Sequence, residues 1–167
     1  VSVGSEIVAP TGAGKVVYTV DETVATTAID ALIYNASLNT LVVNADLTSA
    51  TALDWSALTV EMNGAVLTAD VTADAINVNE GENAINGNIT ASVTVAEDAS
   101  LSVDGNINGD VTVDGTADFN STVINGALTI NGDVTLAAEP YDVMNVTSIT
   151  NNGDLVANTD VYVQEVY

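Results

Sequence analysis

The chain has 167 residues, 47% hydrophobic but only 4% aromatic, with one Lys or Arg against 23 Asp and Glu for a formal charge of −22. That charge excludes nucleic acid and anionic membrane surfaces as partners, since both are held by basic patches. Without His or Cys, thiol and triad catalysis, disulfides and the usual zinc sites are excluded as well.

Lys15 is the sole basic residue, so no cationic clamp exists for phosphoryl or carboxylate substrates. Paired carboxylates, as in glycoside hydrolysis, remain formally available. Aromatic platforms to support them are few, and no enzyme is expected. No apolar run is long enough to cross a bilayer. The chain opens at Val1, as a processed mature protein or a recombinant segment would, and a location at the cell surface or outside the cell is expected.

In chain order, residues 1–14 read as an extended arm and a joint. VSVGSEIVA carries apolar Val1, Val3, Ile7 and Val8, and Pro10, Gly12 and Gly14 detach it from the strand beyond. An arm of this kind is suited to adding a strand to a second copy; an edge strand of its own domain is the alternative.

Residues 15–84 form a β-rich region. KVVYTV at 15–20 is a strand stopped by Asp21-Glu22. Residues 23–33 are the most helix-like stretch, and 38–47 is again a strand. Ser49 is placed to cap a helical turn before the strand LTVEM at 58–62. Trp55, the only Trp, is expected to plug the core. Asn63-Gly64 turns the chain into alternating strands, and the polar NEGEN at 79–83 suggests a boundary.

Residues 85–167 read as a β-solenoid-like region, in which the chain follows a period of six from Ile85 to Leu136 before Pro140 ends the register. The leading apolar residues are Ile89, Val95, Leu101, Ile107, Val113, Phe119, Ile124 and Ile130, closing at Leu136, with one unit, FNSTV, a residue short. A helix would repeat at three and four and a plain strand at two. A six-residue period marks a β-solenoid, in which short strands turn corners and the chain coils. Asn-Gly and Asp-Gly pairs at 86–87, 104–105, 108–109, 114–115, 125–126 and 131–132 supply those corners. The expected fold is therefore all-β, a hexad-repeat β-solenoid of fewer than three coils in the C-terminal half with a β-rich N-terminal region. A β-sandwich or jelly roll, with hairpins such as TI-NG-DV at 129–134, is the alternative.

SITNNGDLVANTDVYV at 148–163 resembles the coils of right-handed β-helix surface adhesins, and INGDVTVDG at 107–115 resembles the polymer-forming cytoskeletal bactofilins. The hexads are also similar to those of left-handed β-helix acyltransferases. Activity in that family depends on a His and basic contacts that this sequence lacks, so only the repeat carries over.

Two kinds of site stand out. Asp104, Asn106, Asn108 and Asp110 match the first half of an EF-hand loop and are candidate calcium ligands. Gly115 replaces the expected Glu at the twelfth position, and solenoid corners whose Asx side chains bond their own turns are the competing reading. Four glycosylation sequons begin at Asn35, Asn88, Asn120 and Asn145. The function expected is a structural subunit of an extracellular filament, pilus-like fibre or surface layer. Its partners are copies of itself, joined head to tail through Val1, Val3, Ile7 and Val8, with glycans a further candidate partner. An adhesin or fibre module binding glycan or cell surface is the alternative.

Overall fold

The computed structural model describes residues 7–8, 17–22, 25–27, 29–30, 38–121, 123–139 and 142–165, with Ile7–Val8 as backbone only. It is a β-solenoid of about 7 turns. Its three-sided coil follows from the sequence: short runs of alternating apolar and polar residues meet a bend rich in Asn, Asp and Gly before a hairpin can form.

The first side is built from β5 (Leu53–Asn63), β7 (Val71–Asn86), β8 (Ile89–Val95), β10 (Ile107–Asn108), β13 (Val123–Ile130), β15 (Val143–Asn151) and β17 (Asp160–Glu165). Leu53, Val71, Ile89, Ile107, Ile124, Val146 and Val163 stack there in parallel register. The second side begins with β2 (Val17–Val20) and β3 (Thr40–Val43). It continues through the later parts of β5, β7 and β8, then β11 (Val111–Val113), β13 and β15. The third side holds β4 (Leu47–Thr48), β6 (Val66–Thr68), the end of β7, β9 (Ala99–Asp104), β12 (Thr116–Asn120), β14 (Asp133–Ala137) and β16 (Asp154–Ala157).

Every pairing among these strands is parallel, which rules out the sandwich. In particular, Asn131-Gly132 links strands of different sides and closes no hairpin. The leading residues of the hexads are all buried, and Ile107 and Val113 point inward while Asn108 and Asp114 face out. Each buried Ile, Leu or Val contributes about 1.5–3 kcal/mol relative to exposure. The short unit FNSTV shortens one coil, so Ile124 follows Ile107 after 17 residues where Ile107 follows Ile89 after 18. Ser121 closes that gap, buried with its hydroxyl donating to the Gly105 carbonyl.

The coils begin well before the hexads become legible. Residues 40–78 already stack in the same ladders and share one continuous core with the later coils. The polar run at 79–83 is a corner inside β7, not a boundary. Its Asn83 occupies the inward column that Leu101, Ala117, Val134 and Leu155 fill on later coils. Buried there, Asn83 accepts at Oδ1 from the N–H groups of Gly64 (2.8 Å) and Ala65 (3.1 Å), and donates to the carbonyls of Glu80 (2.9 Å) and Gly81 (3.0 Å). A buried amide with these bonds made is tolerated where an unpaired one would not be.

At the N-terminal end, helical backbone occurs at 26–27 and 29–30, within the helix-like stretch. Ile29 is fully buried, and Trp55, fully buried as expected, donates from Nε1 to Asp30 Oδ1 at 3.4 Å. No helical turn follows Ser49. Its Oγ instead accepts from the Thr51 N–H at 3.2 Å and shapes a bend, because the apolar spacing beyond it is that of the long strand β5. Among the described residues no helix is long and apolar enough to cross a membrane.

Candidate functional site

Two features could carry function: the polar corners and the two ends of the stack. At the corners, Asx side chains of successive coils lie one above another and bond up the stack. Asn44 Nδ2 donates to Asp21 Oδ1 (2.7 Å) and Asn63 Nδ2 to Asn44 Oδ1 (2.9 Å). At the same corner higher up, Asn131 Nδ2 donates to Asp114 Oδ1 and Asn152 Nδ2 to Asn131 Oδ1. At another corner the Asn88 amide donates to Asp70 Oδ1 (3.1 Å), and Asn88 Oδ1 accepts the Asn106 N–H (2.9 Å). The ladders share a polarity, with Asp at the lowest rung and Asn above it. An ionised carboxylate only accepts, so it can start a ladder but cannot continue one downward.

The four calcium candidates belong to these corners. The Asn106 side chain accepts from the Val123 N–H (3.1 Å), Asn108 from the Asn125 amide (2.8 Å), Asp110 from the Ala127 N–H (2.9 Å) and Asp104, more loosely, from the Asn120 amide (3.5 Å). Each thus points one oxygen at the next coil, and the four are spread over two bends and the strand between them. Among the described residues no group of three or more His, Cys, Asp or Glu is placed to hold a metal ion.

Of the sequons, Asn35 lies outside the described residues. Asn88 is exposed, but its amide is engaged in the ladder to Asp70. Asn120 is exposed, with Ser121 after it buried, and Asn145 is half-buried, donating to the Val143 carbonyl at 3.2 Å.

The two ends of the stack differ. At the first coil, β1 (Ile7–Val8) runs antiparallel to β2, pairing Ile7 with Tyr18 and Val8 with Val17. Ile7 and Val8 of the arm therefore lie against their own chain here, while Val1 and Val3 lie outside the described residues. At the last described coil, β16 pairs only with β14 and β17 only with β15, leaving an outer edge without a partner strand among the described residues. The three exposed large apolar side chains among those residues, Val143 (45% exposed), Val156 (54%) and Tyr162 (60%), all belong to this end. Beside them, between the end of β14 and the start of β15, is a cavity of about 490 Å³ lined by Glu139, Asp142, Val143, Asn158, Thr159 and Asp160 among others. Sequence reasoning pointed to a terminal strand at 161–167 for strand addition but did not single out Val143, Val156 or the cavity, although the longer gap between Ile124 and Val146 marks the lengthened corner.

Comparison with known proteins gives no match: no family model, no characterised protein and no solved structure is significantly similar to this chain.

Proposed function

We propose that this protein is a structural subunit of an extracellular filament or surface layer, its copies joined head to tail by strand addition. The observation that carries the reading is the asymmetry of the stack. One end is covered by β1 and the helical residues near Ile29, while the other presents a parallel edge with no further strand on it among the described residues, beside exposed Val143, Val156 and Tyr162. An open sheet edge accepts another strand unless something blunts it. Pairing between unlike surfaces propagates into a fibre when the rotation does not close.

Among the described residues two pairs hold β1 to its own chain, a pairing weak enough to exchange, since even a complete isolated hairpin is marginal in water. Exchange of that strand onto a neighbour therefore costs little. The decisive experiment is negative-stain microscopy and light scattering on the full chain and on a chain lacking residues 1–9. The full chain is expected to form filaments or sheets, and the truncated chain to remain a folded β monomer. Equal assembly by both, or a full chain that stays monomeric at high concentration, overturns the proposal.

A further inference from the structure

We infer that the receiving surface for the exchanged strand is the outer edge of β17 together with the acidic cavity beside it, and that Lys15 of the incoming copy is drawn to that cavity. The inference rests on the strand-addition reading above and assigns it a site.

Two ways of covering the open end with a second copy can be compared. The simpler is coil on coil, with β2 of the second copy continuing the second side. In that register Ile149 meets Tyr18, Asn151 meets Val20 and Asn152 meets Asp21, extending columns already set by Leu128–Ile149 and Ile130–Asn151. The corner chemistry opposes this arrangement. Asn152 already gives its amide to Asn131 and turns its carbonyl oxygen upward, while Asp21 takes its bond from Asn44 above and has no proton to give below. The contact would set a carbonyl oxygen against a carboxylate, acceptor against acceptor. The outer side of β2 is also occupied by β1.

The N-terminal segment has no such conflict. It carries alternating apolar residues at Val1, Val3 and Ile7, which match the inward Val161 and Val163 of β17. Among the described residues, the Asp160–Gln164 stretch of β17 offers a longer outer edge than the two pairs by which β2 holds β1. Charge selects the same occupant. The cavity wall carries Glu139, Asp142 and Asp160, and the chain's only cationic side chain, Lys15, stands directly after the arm and its joint. On a chain of formal charge −22, any contact between copies is otherwise acid against acid. Lys15 is the one side chain able to reverse that locally.

The absence of Cys makes a direct test simple. Full-length Glu6→Cys is mixed with full-length Tyr162→Cys or Gln164→Cys under mild oxidation, with Thr94→Cys on the middle of the stack as control. Disulfide-linked pairs are expected with Tyr162→Cys or Gln164→Cys at least tenfold above the control. Cross-linking no better than the control, in a protein that still forms filaments, overturns this site while leaving end-to-end assembly standing. A monomeric protein overturns both. Lys15→Glu is expected to weaken association about tenfold at low salt, with Lys15→Gln between it and the parent and all three converging in 1 M salt. Lys15→Glu that folds and associates like the parent removes the charge argument.

Discussion

Asn131 donates from Nδ2 to Asp114 Oδ1 across 2.7 Å, one coil below, and accepts at its own Oδ1 from Asn152 at 2.9 Å, one coil above. The middle rung of a ladder must therefore give and take at once, which Asn can do and an ionised Asp cannot. Asn131→Asp should lose the bond to Asp114 and add a like charge, costing about 1–2 kcal/mol. Asn131→Ala loses the bonds without the charge. Urea midpoints should place Asn131→Asp below Asn131→Ala at low salt and bring the two together in 1 M salt.

Glycines at the corners are required for two different reasons, and substitution should separate them. A Cβ on Gly132 would lie 2.0 Å from the carbonyl oxygen of Gly115 in the coil below, so two coils must part to admit it. Gly64 has no atom near its missing Cβ but holds φ at +74°, which costs another residue about 1–2 kcal/mol. Gly132→Ala should exceed that and be the more damaging of the two. Thermal melts of both variants check the order.

Asp54 gives a local pH signal. The Ser56 hydroxyl, and then the Ser56 N–H at 3.3 Å, bond its carboxylate and hold its pKa below the ordinary value of 3.8. A depressed carboxyl stabilises the fold above the unfolded-state pKa, and that contribution is lost as pH falls through the folded-state value. Ser56→Ala should move the Asp54 titration, followed by NMR, upward toward 3.8. An unmoved titration would show that the hydroxyl is not the cause.

With a formal charge of −22, the folded chain repels itself, and added salt should raise its melting temperature. Because Asn106, Asn108 and Asp110 already direct oxygens to the next coil, calcium should add nothing beyond its ionic strength. Melting curves in calcium and in chelator at matched ionic strength are expected to coincide. A higher midpoint in calcium would restore a specific site at 104–110.

The solenoid was legible wherever one residue type recurs at one position. Ile89, Ile107 and Ile124 are large apolar residues at the start of a coil, and the Asn-Gly pairs mark the bends. Earlier coils obey the same geometry with less regular residues. Leu53 and Val71 hold the same column, but between them Trp55 and Met62 fill more space than the later Val and Ala. Asn83, at an inward position, reads as a loop residue because its partners, Gly64 and Ala65, belong to the coil below. The corner ladders were equally hidden: a bond between Asn131 and Asp114 joins residues 17 apart, and nothing in either residue's local sequence announces it. The glycines were identified for their backbone freedom, yet at Gly132 it is the coil below that forbids a side chain.

The covered first coil also has a meaning in time. A chain leaving the ribosome presents the residues around Ile29 and Trp55 before any hexad, so the lid of the stack is available when the first rungs form. Each later coil then closes a loop of nearly constant length, about one turn back in sequence, and pays nearly the same closure entropy. At every stage of winding a single upper edge is exposed, of the same kind as the edge β17 presents when winding is done. A strand from another copy can therefore compete for unfinished molecules. Winding stays ahead because the chain's own next strand is tethered, at an effective concentration on the order of millimolar. Slowed winding, as in a corner mutant, would turn the same edge from a joint between finished subunits into a trap for half-made ones.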